Sequence, residues 1–220
     1  EKGETPLWRI VTWEFVKDTG KKVEIARLFI SRGAGVNTKN KEGESLLHRV
    51  ASAGQTEIAA LLISGGADVN VRDPMGDTPL HRAAASTGKT GETNVFWVPS
   101  PRQVEVGVML VSGGADLNAR NAKGDTPLHR AAASGNSAVA ERLISAGAEV
   151  NAGNQMGVTP LMNSMEVHWL MQKGGSYDMR YGTPALTLSM VDVERQLEVA
   201  KMLLASGADV NAQDSDAISG

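Results

Sequence analysis

Three of the four histidines recur at equivalent positions, and they are the side chains best suited to bind a metal or transfer a proton. His48, His81 and His129 each close a string of the type Thr126-Pro-Leu-His129. A zinc site needs its ligands within ~2 Å of the ion, whereas equivalent residues of stacked helical units lie roughly 8 to 10 Å apart. A single ion therefore cannot bind all three side chains, and we predict that they have a structural role. His168 stands alone and indicates no catalytic pair.

A second candidate for chemistry is Gly88-Lys-Thr90, which resembles the end of a phosphate-binding loop. Such a loop has the pattern G-x-x-x-x-G-K-[ST] between a strand and a helix, so that its backbone N–H groups surround the phosphates. Here the first glycine position holds Ala83, and a helical pattern precedes the loop. The chain also has no cysteine and no spacing typical of a zinc protease, a serine hydrolase or a calcium loop. We predict no enzyme activity, no cofactor and no metal.

Composition narrows the class of partner. The chain has 220 residues and a net charge of −3, so it lacks the excess of basic groups that nucleic-acid binding requires. No apolar run approaches the ~20 residues of a membrane span. We expect a soluble protein, either cytoplasmic or secreted or periplasmic. The absence of cysteine fits a bacterial protein or an oxidising compartment.

The elements that must position these residues are repeated, and the repeat is visible in a glycine-rich closing string. The closing asparagines are separated by 33, 48, 33 and 60 residues, and periods near 33 indicate an array of stacked helical units. The closing strings are Gly33-Ala-Gly-Val-Asn37, Gly66-Ala-Asp-Val-Asn70, Gly114-Ala-Asp-Leu-Asn118, Gly147-Ala-Glu-Val-Asn151 and Gly207-Ala-Asp-Val-Asn211.

Within a unit the residues predict two helices. A hydroxyl side chain before proline, as at Thr126-Pro127, begins a helix because the hydroxyl caps free N–H groups and proline fits the first helical position. Gly135 interrupts that helix, and a second helix places Val139 and Leu143 on one face before Gly147 ends it. One helix pair cannot bury such a face alone, so neighbouring units must stack and share it.

These strings resemble the ankyrin repeat family, whose pattern opens with G-x-TPLH-x-AA, continues with E-x-x-x-LL and closes with GADVN. The resemblance covers almost the whole chain. It implies an all-α solenoid of about six stacked helix pairs with hairpin-like fingers, whose tips and inner helices line a concave face. It further implies protein binding rather than catalysis, and histidines that tie each opening turn to its neighbour.

The intervals divide the chain into six units within one domain. Leu170–Asp178 is in register with Leu62–Asn70, which favours a worn fifth unit with Trp169 and Leu170 buried. The alternative is a single 27-residue insertion inside one unit. Because the chain opens and stops within a finger, we expect a segment of a longer array rather than a chain that lost a leader. The units are 1–37, 38–70, 71–118 with an insertion at 87–102, 119–151, 152–178 (degenerate) and 179–211, and 212–220 begins a further unit.

Aromatic side chains concentrate in two insertions at the helix junctions. Trp13 and Phe15 lie in unit one, and Phe96 and Trp97 lie in unit three. Aromatic residues are favoured anchors of protein interfaces. Units one and three are next-but-one neighbours, so their insertions project from the same edge, ~20 Å apart. We predict a partner site on this edge, opposite the fingertips; the alternative is that these side chains only cover the core.

Two further sets are candidate partner-binding residues. The fingertips carry Met75, Lys123 and Met156, and an arginine column follows the histidine position. The arginines could bind an acidic partner. However, an acidic residue comes before the arginine in each unit, so we favour arginines that pair with carboxylates of their own or an adjacent unit. The arginines are Arg49, Arg82 and Arg130.

The sequence therefore predicts a module that binds a protein partner of unknown identity. Two alternatives remain open. The first is a structural array whose open ends stack on further repeats or on other copies, because a head-to-tail contact that does not close gives a filament. The second is a regulatory subunit of an adjacent enzyme.

Overall fold

The structure, a computed structural model, describes residues 5–13, 19–85, 100–165 and 190–215. These residues form paired helices joined by glycine-containing loops, and the part described contains no β-strand beyond an isolated bridge between Lys39 and Ser45. The helices are α1 (Pro6–Thr12), α2 (Thr19–Ser31), α3 (Leu46–Ala53), α4 (Thr56–Ser64), α5 (Pro79–Ala84), α6 (Pro101–Ser112), α7 (Pro127–Ala133), α8 (Ser137–Ser145), α9 (160–165) and α10 (Met190–Ala205).

The inner helices begin at the predicted hydroxyl residues. The Thr126 hydroxyl accepts a hydrogen bond from the backbone N–H of His129 (3.4 Å), and His129 Nδ1 accepts one from the backbone N–H of Thr126 (3.1 Å). This is a capping box in which histidine takes the place of the usual Glu or Gln. Ser45 and Thr78 begin α3 and α5 in the same way.

The helices stack in two layers. α1, α3, α5 and α7 pack in sequence as the inner layer, and α2, α4, α6, α8 and α10 form the outer layer. Each repeat buries large apolar side chains between the layers, and each such burial is worth about 1.5 to 3 kcal/mol. The all-α repeat solenoid is thus confirmed. Fully buried apolar residues include Leu46, Leu47, Ile58, Leu62, Leu80, Leu110, Leu128, Leu143 and Leu203.

A column of side-chain amides, at the N-cap or in the first half of α4, α6, α8 and α10, ties each of these helices to the preceding repeat. Each amide donates to a carbonyl at the end of the preceding inner helix, where the last carbonyls have no partner within the helix. The bonds are Gln55 to Val11 (3.4 Å), Gln103 to Ser52 (2.7 Å), Asn136 to Ala84 (3.3 Å) and Gln196 to Ala133 (3.5 Å).

The closing asparagines form a second column. Asn37 donates to the Gly66 carbonyl (3.1 Å) and accepts from the Asp68 N–H (2.8 Å). We call this pair of hydrogen bonds, made by one asparagine side chain to the next repeat, a rung. Asn70 makes the same rung with Gly114 and Asp116. The Oδ1 of Asn118 accepts from Glu149 N–H (2.9 Å).

The asparagine column also bears on the predicted repeat count, which is not confirmed. The rung of Asn151 reaches Gly207 (3.1 Å) and Asp209 (2.8 Å), and α10 packs directly against α8. Among the described helices, none lies between α8 and α10 in the outer layer. These contacts favour the alternative of a single insertion, in which 152–165 and 190–211 belong to one repeat, and we number the described repeats one to five on that basis. Trp169 and Leu170 lie outside the described residues.

The boundary of the predicted insertion at 87–102 also shifts. Ser100 caps α6 by accepting from the Gln103 N–H (3.1 Å), so Pro101 and Arg102 are the first turn of the outer helix. Residues 86–99 lie outside the described part. None of the helices within the described ranges is long and apolar enough to cross a membrane.

Candidate partner-binding surface

The histidine column joins each inner helix to the next repeat. His48 Nε2 lies 2.8 Å from the Asp77 carbonyl oxygen, which can only accept, so Nε2 carries the proton. Nδ1 is then an acceptor, 2.7 Å from Ser45 Oγ. His81 contacts the Asp125 carbonyl (3.0 Å) and His129 contacts the Val158 carbonyl (2.9 Å) in the same way.

The environment of this column keeps the histidines neutral. Burial lowers the pKa of His48, His81 and His129, and the carbonyl hydrogen bonds only partly oppose it. Both ring nitrogens are occupied by structural hydrogen bonds. The predicted structural role is confirmed.

The other candidates for chemistry are placed as follows. Ala83, at the first position of the loop-like pattern, is buried in the middle of α5, and Gly88-Lys-Thr90 lies outside the described residues. Within the described ranges, no group of three or more His, Cys, Asp or Glu side chains could hold a metal ion.

The three arginines pair with carboxylates of their own or an adjacent repeat, as we favoured from the sequence. Arg82 binds Asp73 through Nη2 and lies 3.6 Å from Asp77 through Nε. Arg130 reaches back across the repeat boundary to Asp77 (3.3 Å), and Arg49 lies 3.8 Å from Glu44. Arg82 and Arg130 keep only 33% and 23% of their side chains exposed, which leaves little positive surface for a partner.

A column of Asn and Asp side chains holds the turn of each finger. Asp73 accepts from the Met75 N–H (2.9 Å) and the Asp77 N–H (2.9 Å). Asn121 repeats both bonds and also donates to Asp77 Oδ1 in the preceding repeat (2.8 Å). Sequence reasoning missed this column and the outer-helix amides, although in both cases a short polar side chain recurs at a fixed place in each repeat.

Above these turns the fingertips form a continuous strip. The Ala122 N–H donates to the Met75 carbonyl (2.8 Å) and the Gln155 N–H donates to the Lys123 carbonyl (3.0 Å), so each finger is bonded to the next. Met75 is 53% exposed and Met156 is 51% exposed, while Lys123 is half-buried. We call Met75, Lys123 and Met156 the fingertip strip.

The opposite edge carries the connections between inner and outer helices. Repeats two and four turn tightly at Gly54 and Gly135 with φ of 62° and 59°, whereas residues 14–18, 86–99 and 166–189 of repeats one, three and five lie outside the described part. Trp13 is 52% exposed at the end of α1. Phe15, Phe96 and Trp97 lie outside the described residues, so the predicted partner site on this edge remains a prediction.

Comparison with known families agrees with this geometry. A family model described as "Ankyrin repeats (3 copies)" matches residues 14–96 and 102–166, and one described as "Ankyrin repeat" matches 75–122 and 182–215. Neither model matches residues 167–181, which fall between α9 and α10. No curated protein matches the chain. Since these matches extend over far more than half of the sequence, the chain belongs to the ankyrin repeat family.

Proposed function

We propose that this chain binds a protein partner through its fingertip strip and has no catalysis of its own. Ankyrin repeats are generally protein–protein interaction modules and are typically non-catalytic. The observation that carries the choice of surface is the exposure of Met75 and Met156 on backbone that is bonded from finger to finger.

Physical chemistry favours the strip as a recognition surface. Its backbone is fixed by the Asp73, Asn121 and Asn154 turns, so binding orders side chains only and the entropic cost is small. Methionine is polarisable and has three rotatable bonds, which lets it fit irregular apolar surfaces. Lys123 lies between the two methionines along the strip and adds a positive charge that favours partners with an acidic residue beside the apolar contact.

The inner helices behind the strip end in short side chains. Ala53 and Ala133 are exposed at the ends of α3 and α7, and Ala85 is half-buried after α5. Such residues let a partner approach closely but offer no anchor of their own. The partner's binding energy therefore comes chiefly from the tips.

Trp13 supports a second location, the edge that carries the connections between inner and outer helices. It is a large aromatic side chain with half its surface exposed, and such side chains dominate interface energetics. Phe15, Phe96 and Trp97 belong to the same proposed edge by their sequence position.

Binding measurements on a captured partner separate the two surfaces. We expect Met75→Ala with Met156→Ala to weaken binding more than tenfold, about 1.4 kcal/mol. Met165→Ala is the matched control, because Met165 is also exposed (41%) but lies on α9. Full affinity in the fingertip double variant, together with lost affinity in Phe96→Ala with Trp97→Ala, would move the site to the edge. Thermal melting of each variant shows whether the fold is intact.

A further inference from the structure

A second set of basic side chains runs along the fingers, separate from the arginines that pair with carboxylates. Its members come two residues after the closing asparagines of the first three repeats, and they are Lys39, Arg72 and Arg120. All three are exposed, and none forms an ion pair with a carboxylate in the described part of the chain. We call these three side chains the basic row.

Backbone carbonyls hold the basic row in place. Each side chain donates to the carbonyl of the equivalent residue in the next repeat: Lys39 Nζ to Arg72 (2.9 Å), Arg72 Nη1 to Arg120, and Arg120 Nη1 to Gly153. The Nη1 of each arginine also bonds a carbonyl of its own finger. A carbonyl is a neutral acceptor, so the row keeps its positive charge. Because its side chains are already ordered, binding a partner costs little entropy.

Each arginine of the row keeps one edge of its guanidinium group unused. Nη1 makes all the side-chain hydrogen bonds of Arg72 and Arg120 to described residues, and Nε and Nη2 make none. The Nε–H and one N–H of Nη2 point in parallel from one edge of the planar group, and such an edge matches the two oxygens of a carboxylate. The row therefore offers two bidentate sites for carboxylates and, at Lys39, a further cation.

The exposed charge around the row is positive. The fingers at 38–44, 71–77 and 119–125 contain five basic and five acidic residues, but three of the acidic side chains are buried in the finger turns. Among the exposed residues of these fingers, four are basic and one is acidic. The four are Lys39, Lys41, Arg72 and Arg120, against Glu42. A surface of this sign attracts acidic partners.

The spacing of the row favours one shape of partner. Equivalent residues of stacked repeats lie roughly 8 to 10 Å apart. A chain in the polyproline II conformation makes one turn in three residues and rises about 9 Å per turn, so every third side chain faces the same way. A β-strand instead alternates its side chains, with a repeat of about 7 Å on each face. An acidic residue at every third position of a polyproline II segment thus meets each member of the row.

We propose that the basic row binds an acidic protein segment in the polyproline II conformation, with a carboxylate at every third residue. Arg72 and Arg120 each bind one carboxylate through Nε and Nη2, and Lys39 pairs with a third as a point charge. The proposal does not rest on the fingertip strip, because Met75, Lys123 and Met156 are not members of the row. Unchanged binding in the methionine variants would therefore leave it intact.

NMR titration of the full chain at low salt tests the proposal, since it detects binding even in the millimolar range. The probe is a peptide of repeated Pro-Pro-Glu units, and we expect it to shift the Nε–H resonances of Arg72 and Arg120. High salt weakens the interaction because it screens the charges. A peptide with Gln in place of Glu does not bind. A peptide with the same number of consecutive Glu residues reaches fewer members of the row and binds roughly threefold to tenfold more weakly.

Paired variants assign the binding to the row. Arg72→Gln with Arg120→Gln weakens peptide binding about tenfold or more, as the loss of charge-assisted hydrogen bonds does. Arg27→Gln with Arg142→Gln is the matched control, because it removes the same charge from exposed positions on α2 and α8; it binds as the wild type does. Thermal melting of both pairs shows whether the stack is intact.

A gain of affinity keeps the test independent of folding defects. Gly153 holds the position of the row in the fourth repeat, and a Cβ there would meet its nearest neighbour at 3.5 Å, an ordinary contact. Gly153→Arg therefore extends the row by one cation. We expect it to bind a peptide with one additional Pro-Pro-Glu unit roughly threefold to tenfold more tightly than the wild type does.

Four outcomes would overturn the proposal. The first is a wild-type chain whose Arg72 and Arg120 resonances do not shift, and the second is equal affinity for the spaced and the consecutive Glu peptides. The third is a loss in the control pair as large as in the row pair. The fourth is a single-stranded oligonucleotide that shifts the same resonances at lower concentration than the peptide, which would assign the row to phosphates.

Discussion

Two finger boundaries of this solenoid differ in the residue that faces the carboxylate of the preceding repeat, and the difference decides which side chains hold them. Between repeats three and four, Asn121 donates from Nδ2 to Asp77 Oδ1 (2.8 Å). Between repeats two and three the same position holds Asp73, which has no such donor and faces Glu44. A carboxylate in place of an amide thus turns a hydrogen-bonded boundary into one that needs a cation, and Arg82 supplies it.

The pKa values of Glu44 and Asp77, the facing carboxylates of the two boundaries, reflect this difference. Burial raises the pKa of Glu44, the nearby Asp73 carboxylate adds to the rise, and Arg49 and Arg82 only partly oppose it. Burial also raises the pKa of Asp77, but Arg130 and the Asn121 hydrogen bond lower it more, so the net pKa lies below its usual value. The facing carboxylate thus has a raised pKa where its neighbour is Asp73 and a lowered pKa where its neighbour is Asn121.

The largest expected effect comes from removing the cation of the carboxylate boundary. In Arg82→Met, the Asp73 side chain, 1% exposed, loses its ion-pair partner beside Glu44. Breaking a buried pair by removing one partner costs about 3 kcal/mol or more. We expect urea unfolding to show that loss in the free energy of unfolding.

Arg130→Met is the control for this prediction. Asp77 then still accepts from Asn121 and lies near Arg82, so the loss should be less than half as large. Equal losses in the two variants would show that the boundaries do not differ in their need for a cation.

The second effect converts the amide boundary into the carboxylate type. Asn121→Asp removes the donor to Asp77 and places two carboxylates together, and we expect a loss of about 2 kcal/mol. Asn40→Asp is the control, since Asn40 accepts from the Glu44 N–H (2.9 Å) and makes no bond to another repeat within the described residues. A loss as large in the control would assign the effect to the finger turn instead of the boundary.

Acid should weaken the boundaries through their histidines. The pKa values of His48, His81 and His129 are lowered from 6.5 in the folded state, so the unfolded state takes up protons first as the pH falls. Stability therefore decreases as the pH drops below about 6.5 and continues to decrease toward the folded-state pKa values. Glu44, whose pKa is raised, opposes this trend by binding a proton more tightly in the folded state.

Unfolding midpoints between pH 7.5 and pH 5 measure the trend, because the histidine charge changes in that range. His129→Gln should reduce the slope by removing one of the three groups. A midpoint that does not fall between these pH values would contradict the assignment of neutral histidines.

The helix pairs and the histidine role could be predicted from the sequence because they depend on residues that are close together in the chain. A hydroxyl residue three positions before histidine specifies both the cap and the ring orientation, as at Thr126 and His129. It was also predictable that the arginines pair with carboxylates, because acidic residues recur at the same spacing. That Arg130 bonds a carboxylate 53 residues earlier was not, because only the stacking of repeats brings them together.

The repeat count was not predictable for the same reason. Leu170–Asp178 has the composition of a closing string, and local similarity cannot show which helix packs against α8. That choice is made by contacts between distant residues, such as the rung from Asn151 to Gly207. The fingertip strip was predicted residue by residue, but the exposure of its methionines depends on how the fingers bond to each other.

The smallest effect tests whether the carboxylate boundary can be converted to the amide type. In Asp73→Asn, Oδ1 still accepts from Met75 and Asp77, while the new amide nitrogen can donate to Glu44 as Asn121 donates to Asp77. The variant loses the Arg82 ion pair, although Arg82 remains near Asp77 (3.6 Å). Because the lost attraction and the relieved repulsion nearly cancel, we expect stability to change by less than about 1 kcal/mol. Two readouts decide the outcome: the pKa of Glu44 in an NMR titration should fall toward its ordinary value, and Arg82→Met should cost much less in the Asp73→Asn background than in the wild type. An unchanged Glu44 pKa with a fully additive double variant would mean that Asp73 is not what makes this boundary depend on Arg82.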